Sequence, residues 1–559
     1  MQSGPLKHSI CHLLLKHEQQ NGGRIYLRQP KAGVWHELTW MQVMHQARQV
    51  ARFLQTLALK KGAHVSIYSK NCAEWFIADF GITLAGMVNV PLFPNQHKDG
   101  IEYVLNHAEI ELVFIGKLDK HVETRKYIPE KFRTVSFDYH AHLNTTYRWP
   151  DVLTGEPLQD IVFPKAEDVY TIIYSSGTAD TPKGAVYTHE AIANYLAIFP
   201  EDIRRTTDLQ HHRLLSYLPL AHVYERSAIE LASLAIVSEV SFVESLETFA
   251  KNLQEVKPTF FAAVPRVWGI FQHKIERKLP KTLLNGLLKI PFLSGFIKHK
   301  IKHQLGLQRS RGNISGASHL PTAINDFFEK LGILIQEGYG QTENFAYATL
   351  SLLKERKRGY VGTPRFQVEI KIGDNQELLM KSPCLMACYY KDEMATKNAL
   401  VEDGWLRTGD IADIDAKQRV KILGRLSENF KNQKGEFIVP TPIEKKGLTN
   451  PMIEHLCLVG RELASNVLLV SLNQKARKQP KSEVKESLQN TLRVVNAGLK
   501  SYEKISHILV VQDAWTTEND VLTPTLKVKR RVIERRYQDF IHKAVAQPET
   551  IVWEYTLRA

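Results

Sequence analysis

Cysteine is scarce: the 559 residues contain five, Cys11, Cys72, Cys384, Cys388 and Cys457. An odd set without a Cys-x-x-Cys pair excludes a disulfide mini-protein and supplies no zinc or redox dithiol spacing. A reducing cytoplasm is the expected setting. Long apolar runs are also missing. The most apolar segment, Phe80 to Gln96, contains Asn89, Pro91, Pro94 and Asn95, and falls short of the ~20 apolar residues of a membrane span. The opening MQSGPLKHSICHLLLKHEQQ has too short an apolar stretch, and too many His and Lys, for a secretory leader. Low-complexity tracts and internal repeats are absent, and the composition excludes a collagen-like fibre or a disordered tail.

What is present is a near-average globular composition, 43% hydrophobic and 24% charged. A chain well above ~150 residues predicts two or more domains. Basic residues number 73 against 59 acidic ones, a net charge of +14. Such an excess suits nucleic acid, an anionic membrane face or nucleotides, and charge alone does not choose. Nucleic acid is not expected, because no binding module is recognisable and the basic residues outside two clusters are scattered.

From Leu38 to about Ile115, helical patterns alternate with short β-branched runs. TWMQVMHQARQVARFLQTL has apolar positions at helical spacing, HVSIYS reads as a strand, and WFIADFGITLAGMV as a buried helix. The alternation recurs at YTIIYS, TFFAAV and ILIQEGYG, which predicts an α/β body of parallel and mixed sheets flanked by helices. After Trp405 the texture changes. VKILGR leads into polar SENFKNQKGE, then short strands CLVGR, NVLLVSL and HILVVQD with one helix around Ser482 to Leu499, a small α+β module. The expected domains are 1–424 and 425–559, with the boundary near 425–428.

The sharpest local signal is TIIYSSGTADTPKGAVYTH, Thr171 to His189. An apolar strand runs into hydroxyls at Ser175, Ser176 and Thr178, with Gly177 and Gly184 permitting a tight backbone and Lys183 adding a cation. Hydroxyls and amides donate to polyphosphate oxygens while lysine offsets their charge. The pattern is not a P-loop, since Gly-Lys-Ser/Thr is missing at the required spacing. HEAIA at His189 lacks the second histidine of a zinc-protease helix.

Four further segments follow in order: EGYGQTEN (Glu337 to Asn344), DGWLRTGDIA (Asp403 to Ala412), GRLSENFKNQKGEFIVPTPIE (Gly424 to Glu444) and LTPTLKVKRR (Leu522 to Arg531). Together with SSGTADTPKG they resemble the adenylate-forming superfamily. LSYLPLAHVYER, KPTFFAAVPRVW and NCAEWFIADFGITLAGMVNVPLF resemble its long-chain fatty acyl-CoA synthetases. The resemblance implies ATP-dependent conversion of a fatty acid to acyl-AMP and thioester formation with CoA, in a large body with a mobile C-terminal domain.

Carried over by that resemblance, Ser175, Ser176, Gly177, Thr178 and Lys183 would hold the β- and γ-phosphates. Glu343, with the Ser176 hydroxyl, would bind Mg²⁺, a hard cation that takes oxygen ligands. Gly316, Ala317, Ser318, Gly338, Tyr339, Gly340 and Thr342 would line the nucleotide site, with Asp410 and Arg425 at the ribose. Lys527 would reach the α-phosphate and carboxylate, and His222 would lie near the reacting carboxylate, with a charge responsive to pH near neutrality. Lys527, His222 and Lys183 are thus the catalytic candidates, and Glu428 the hinge. Lys431, Gly435 and Glu436 are candidates for the CoA side. Arg530 would be structural.

Departures from the pattern sharpen the alternatives. Ala179-Asp180 stands where Thr-Gly is usual, Ser427 where Lys is usual, and Lys434 where Gly is common. One alternative is an acyl-AMP ligase serving a carrier-protein thiol or another acceptor, and a second, motivated by Asp180 and Ser427, is a catalytically weak lipid- or nucleotide-binding paralogue. The stretch from Lys274 to Arg311, with ten Lys/Arg, one Glu and interleaved Leu, Ile and Phe, admits peripheral contact with an anionic membrane face. A docked helix with a solvated basic side is the competing reading. Pro291 and Gly295 are expected to break it.

Overall fold

The computed structural model describes residues 6–119, 121–139, 143–175, 182–207, 211–433, 435–461 and 463–557. Ser176, Gly177, Thr178, Ala179, Asp180 and Lys434 lie outside the described residues.

The expected helices and strands form at their patterns. Trp40–Thr56 is a helix because Val43, Met44, Ala47, Val50, Ala51 and Leu54 fall on one buried face. Thr39 starts it with a capping box: its hydroxyl accepts from Gln42 N at 3.3 Å, and the Gln42 side chain accepts from Thr39 N at 2.9 Å. Helix Ala73–Leu84 is buried at all 12 positions. A helix with apolar residues on every side belongs in a core, where each large apolar side chain contributes ~1.5–3 kcal/mol by burial and the few polar ones, such as Asp79, need buried partners.

These helices cover an eight-stranded sheet. Its order is Cys388–Tyr389, Gly184–Thr188, Val169–Tyr174, Val88–Asn89, His64–Tyr68, Leu112–Ile115, Arg133–Ser136 and Tyr147–Arg148. The last six run parallel and the first two strands pair antiparallel at one edge. The hairpin of Val169–Tyr174 with Gly184–Thr188 brings Ser175 and Lys183 together, Ser175 N donating to Lys183 O at 2.9 Å.

A second sheet orders Phe260–Ala263, Gly312–Ser315, Ile335–Tyr339, Thr349–Leu350 and Thr363–Pro364. A third contains Glu369–Ile372, Glu377–Lys381, Trp405–Ile414 and Leu400–Val401, with Val420–Arg425 added. VKILGR forms an antiparallel hairpin with Trp405–Ile414, in which Asp410 and Arg425 are register partners.

Past the turn Leu426–Glu428 come the hairpin Phe430–Lys431 with Phe437–Ile438, and a sheet of Ile453–Val459, Asn466–Leu472, Ile505–Val510 and Ile551–Trp553. Asn466–Leu472 is buried throughout because alternate residues enter opposite cores: Leu468, Val470 and Leu472 on one face, Val467 and Leu469 on the other. Beside the expected helix, here Lys481–Asn496, stand Pro440–Gly447, Arg530–Arg536 and Gln538–Val545. Their seven or eight residues carry too few turns for periodicity to declare them.

A buried charge cluster fixes the segment after PLAHVYER. Arg226 Nη2 lies 2.8 Å from Asp79 Oδ2, and its Nε lies 3.1 Å from Glu230 Oε2, with all three side chains fully buried. Thr171 and Tyr170 hydroxyls accept from the same guanidinium at 2.9 and 2.5 Å. The pairing sets a π-helical turn, Arg226–Leu231, a wider coil often found at functional sites.

Candidate active site

A cleft of about 560 Å³ lies where the body meets the C-terminal module. Its walls come from the ends of the strands described above. Ser175, His222, Gly316, Ala317 and Ser318 line it, as do Gly338, Tyr339, Gly340, Thr342 and Glu343. So do Asp410, Arg425, Glu428 and Lys527.

Asp410 is the hub of its polar end. The residue is 3% exposed. Its Oδ2 accepts from the Tyr339 hydroxyl at 2.6 Å and from Gln341 Nε2 at 2.6 Å, and its Oδ1 pairs with Arg425 Nε at 2.9 Å. Gln341 also donates to Thr408 O at 2.8 Å. The Asp410 carboxylate, ahead of the cost of burial, holds the Arg425 guanidinium above its ordinary pKa. Burial, then Asp410, raises the Tyr339 phenol. Both carboxylate oxygens already have protein donors, so a sugar hydroxyl at Asp410 would share them.

The turn carrying Glu343 is set by local sterics. A β-carbon at Gly340 would meet the Ala346 backbone at 2.6 Å, so only glycine fits. The Tyr187 hydroxyl donates to Thr342 O and accepts from Phe345 N at 2.8 Å, pinning both ends of the turn. Glu343 then points at Tyr389, whose hydroxyl donates to Glu343 Oε1 at 2.6 Å. Lys183 lies outside the cleft lining; its Nζ sits 5.1 Å from the centroid of that same tyrosine. No cluster of three or more His, Cys, Asp or Glu able to hold a metal occurs among the described residues. The single carboxylate of Glu343 on the cleft wall fits Mg²⁺, which commonly binds through one or two carboxylates with water and substrate phosphates.

The hairpin that brings Lys527 to the cleft closes through a Leu522–Val528 bridge. Thr523 Oγ1 accepts from Lys527 N at 3.0 Å and Thr523 N donates to Lys527 O at 2.8 Å, while Leu526 takes φ +62°. Asn95 Nδ2 of the body donates to Pro524 O at 2.8 Å, tying this hairpin across the cleft. Lys527 is open to solvent in the cleft but hemmed in by its walls. That desolvation, and then the Arg425 charge, lower its ammonium below the usual lysine pKa, against Asp410, Glu428 and Glu343.

His222 begins a short turn, with its Nδ1 accepting from Tyr224 N at 3.1 Å. Glu225, buried and accepting from Ser216 Oγ at 2.8 Å and Tyr217 N at 2.9 Å, holds the loop in place. Sequence gave the imidazole a charge responsive near neutrality. The structure corrects this: desolvation, with Lys527 adding repulsion, brings His222 down to about 4. It is a neutral ring at neutral pH. Protonation therefore begins only as pH falls toward that value, and adenylate formation should show no His222 limb between about pH 6 and pH 8. A limb near pH 6.5 that disappears in His222→Asn would contradict this.

Lys431, Gly435 and Glu436 do not line the cleft. They sit on the hairpin of Phe430–Lys431 and Phe437–Ile438, where Gly435 takes φ +77° and Glu436 N donates to Asn432 Oδ1 at 3.0 Å. Arg530 reaches the cleft but is committed to structure, pairing with Glu444 Oε1 at 2.7 Å and donating to Leu458 O.

Several site residues escaped the sequence reading. Gln341 lay inside a quoted motif, but only the fold shows its amide turned to Asp410. Tyr389 had no signal beyond the pair Tyr389-Tyr390. Glu337, His319 and Lys445 form a further cluster in the cleft, with His319 Nδ1 3.8 Å from Glu337 Oε2. Burial pushes Glu337 up to about 7 and His319 down to about 4. The other end of the cleft is apolar, walled by Phe199, Ile203, Leu214, Ile229, Ile236 and Phe260.

Residues 15–390 match the family described as AMP-binding enzyme. The chain belongs to that family. Residues 431–549 match the AMP-binding enzyme C-terminal domain. Among curated relatives, fatty acyl-CoA synthetase A of Dictyostelium discoideum is 28% identical, over 94% of this chain and 88% of that protein. Human long-chain-fatty-acid–CoA ligase 1 is 28% identical, over 85% of this chain and 77% of its own. Among solved structures, the A domain of carboxylic acid reductase from Segniliparus rugosus, in complex with AMP and a co-purified carboxylic acid, superposes with TM-score 0.77 at 19% identity. That match covers 98% of this chain and 95% of the other. The anthranilate CoA ligase AuaEII matches at TM-score 0.76 and 19% identity, over 97% and 99% of the two chains. The fold, with its large body and C-terminal domain, is therefore shared with both solved structures.

Proposed function

We propose that the protein is a long-chain fatty acid–CoA ligase that forms AMP. The observation that carries this reading is a cleft lined both by charged, hydrogen-bonding residues, Asp410, Arg425 and Lys527, and by apolar ones, Ile229, Ile236 and Phe260. A nucleotide suits the first and an alkyl chain the second.

In the first step a carboxylate oxygen bonds to the α-phosphorus of ATP and the bond to pyrophosphate breaks. In the second, the CoA thiol sulfur bonds to the acyl carbon and AMP leaves. Carboxylate and triphosphate repel each other, so the chain must hold positive charge where they meet. Lys527 supplies it. Neutral His222 borders the acyl end without adding charge, and Tyr339 offers a flat face beside the backbone of Gly316, Ala317 and Ser318. Mg²⁺, when bound, neutralises phosphate charge, and Glu343 would hold it together with hydroxyls of the phosphate loop. Ser175, Ser176, Gly177, Thr178 and Lys183 form that loop's phosphate-binding set.

Residues 1–424 and 425–559 are assigned as the two domains, turning about 425–428 with Glu428 at the pivot. Lys431, Gly435 and Glu436 are assigned to the CoA-bound orientation, consistent with their place away from the cleft when Lys527 occupies it. No described helix is long and apolar enough to cross a membrane. The reading places the enzyme in the cytoplasm, in peripheral contact with an anionic membrane face through 274–311.

The test is a panel of carboxylic acids of graded length with Mg-ATP, with and without CoA. AMP release that requires a long-chain acid, and a thioester on adding CoA, are expected. Pyrophosphate release without a thioester would favour a carrier-protein or other acceptor, and a complete absence of acid-dependent AMP would leave a binding protein. Glu343→Gln should raise the Mg²⁺ concentration for half-maximal rate by about ten-fold, the effect of removing one of few oxygen ligands. An unchanged metal dependence would remove Glu343 from the site.

A further inference from the structure

The basic stretch folds as the end of helix Pro265–Lys278, followed by Lys281–Leu288 and Leu293–Gln304. Its inner side is sealed: Leu284, Ile297 and Ile301 are buried in a core with Phe261, Trp268 and Phe328. The docked-helix reading requires the outer side to be merely basic. It is not. Leu283 and Ile290 are each 51% exposed, Phe296 63% and Phe292 100%; Ile290, Phe292 and Phe296 lie on or beside the turn between the two helices, and Leu283 in the first turn of Lys281–Leu288. Phe292 is held out in the left-handed region at φ +37°, a conformation that is uncommon for an aromatic residue.

We infer that this turn is a membrane-docking tip, in which Phe292, Phe296, Ile290 and Leu283 enter an anionic lipid bilayer while the surrounding lysines and arginines meet its headgroups. Charge selects the occupant. Ten Lys/Arg against one glutamate between Lys274 and Arg311 attract anionic phosphate and carboxylate headgroups, and would repel a second copy presenting the same face. Aromatic and aliphatic side chains ringed by cations are what interfacial binding requires. Lys300 Nζ stands 6.0 Å from the Phe296 ring centroid, so cation and apolar anchor are side by side.

The tip is also one strand away from the acyl end of the cleft. In Phe260–Ala263, Phe260 and Ala262 line the cleft, and Phe261 and Ala263 pack into the core under the tip. A docked tip therefore places the apolar end of the cleft near the bilayer, where fatty acids partition. The inference rests on the fatty-acid reading for its purpose, but its test does not need substrate.

The full chain is sedimented with vesicles of phosphatidylcholine, alone or with phosphatidylglycerol, at low and high salt. Binding to the anionic vesicles should be at least about ten-fold tighter than to neutral ones and should weaken with salt. The Phe292→Ser/Phe296→Ser double variant should lose about ten-fold in vesicle affinity, with an unchanged thermal midpoint and unchanged activity in detergent micelles without vesicles. Binding indifferent to lipid charge, or unaltered in the double variant, would overturn the tip. So would a concentration-dependent dimer abolished by the same substitutions. Vesicle binding that follows the expected pattern in a chain without acid-dependent AMP formation would leave the tip standing and remove the ligase reading.

Discussion

Lys527→Ala should slow acyl-adenylate formation by roughly 10²–10³-fold, the scale of losing one charge-stabilising donor in an enclosed site. Thioester formation from supplied acyl-AMP should change by no more than about a few-fold. The substitution is clean because the hairpin does not depend on the side chain: Thr523 binds both the backbone N–H and the carbonyl of residue 527. What disappears is the ammonium facing Asp410, Glu428 and Glu343 across the cleft. Single-turnover measurements of the two half-reactions check it. Equal losses in both would contradict the role assigned to Lys527.

Asp410→Ala should produce the largest combined loss of stability and nucleotide binding. One buried carboxylate accepts from the Tyr339 hydroxyl, the Gln341 amide and the Arg425 guanidinium, so its removal takes an acceptor from three donors at once, of which Gln341 keeps Thr408 O. Breaking a buried pair costs ~3–5 kcal/mol. The Arg425 side chain, 44% exposed, regains some hydration, which lowers the expected loss to about 2–3 kcal/mol. The KM for ATP should rise by roughly 10–100-fold, since each 1.4 kcal/mol is ten-fold in binding. Denaturant unfolding and ATP titration measure both. Stability within about 0.5 kcal/mol of the parent, with ATP affinity intact, would remove Asp410 from the centre of the site.

Much of this was legible in the residues. YTIIYS, TFFAAV and ILIQEGYG announced core strands because buried parallel strands are apolar nearly throughout, and the predominantly apolar helix at Ala73–Leu84 was legible as interior. The ordered motifs located Asp410, Tyr339, Glu343 and Lys527 on walls that the fold brings into one cleft. What escaped depends on geometry that linear order does not hold. The pairing of Asp410 with Arg425 across a hairpin joins two segments that linear order leaves apart. Gln341 and Tyr389 matter through what their polar ends touch. The His222 charge follows from enclosure by residues distant in the chain. The basic stretch had two readings until the fold separated an inner apolar side from an outer one.

The most direct measurement of the central claim is exchange of labelled pyrophosphate into ATP, with CoA omitted. If the cleft joins a fatty acid to AMP reversibly, label should enter ATP only when a long-chain acid and Mg²⁺ are both present, and Lys527→Ala should abolish the exchange. Label entering ATP without acid, or no exchange with any acid by a folded chain that binds ATP, would contradict the account.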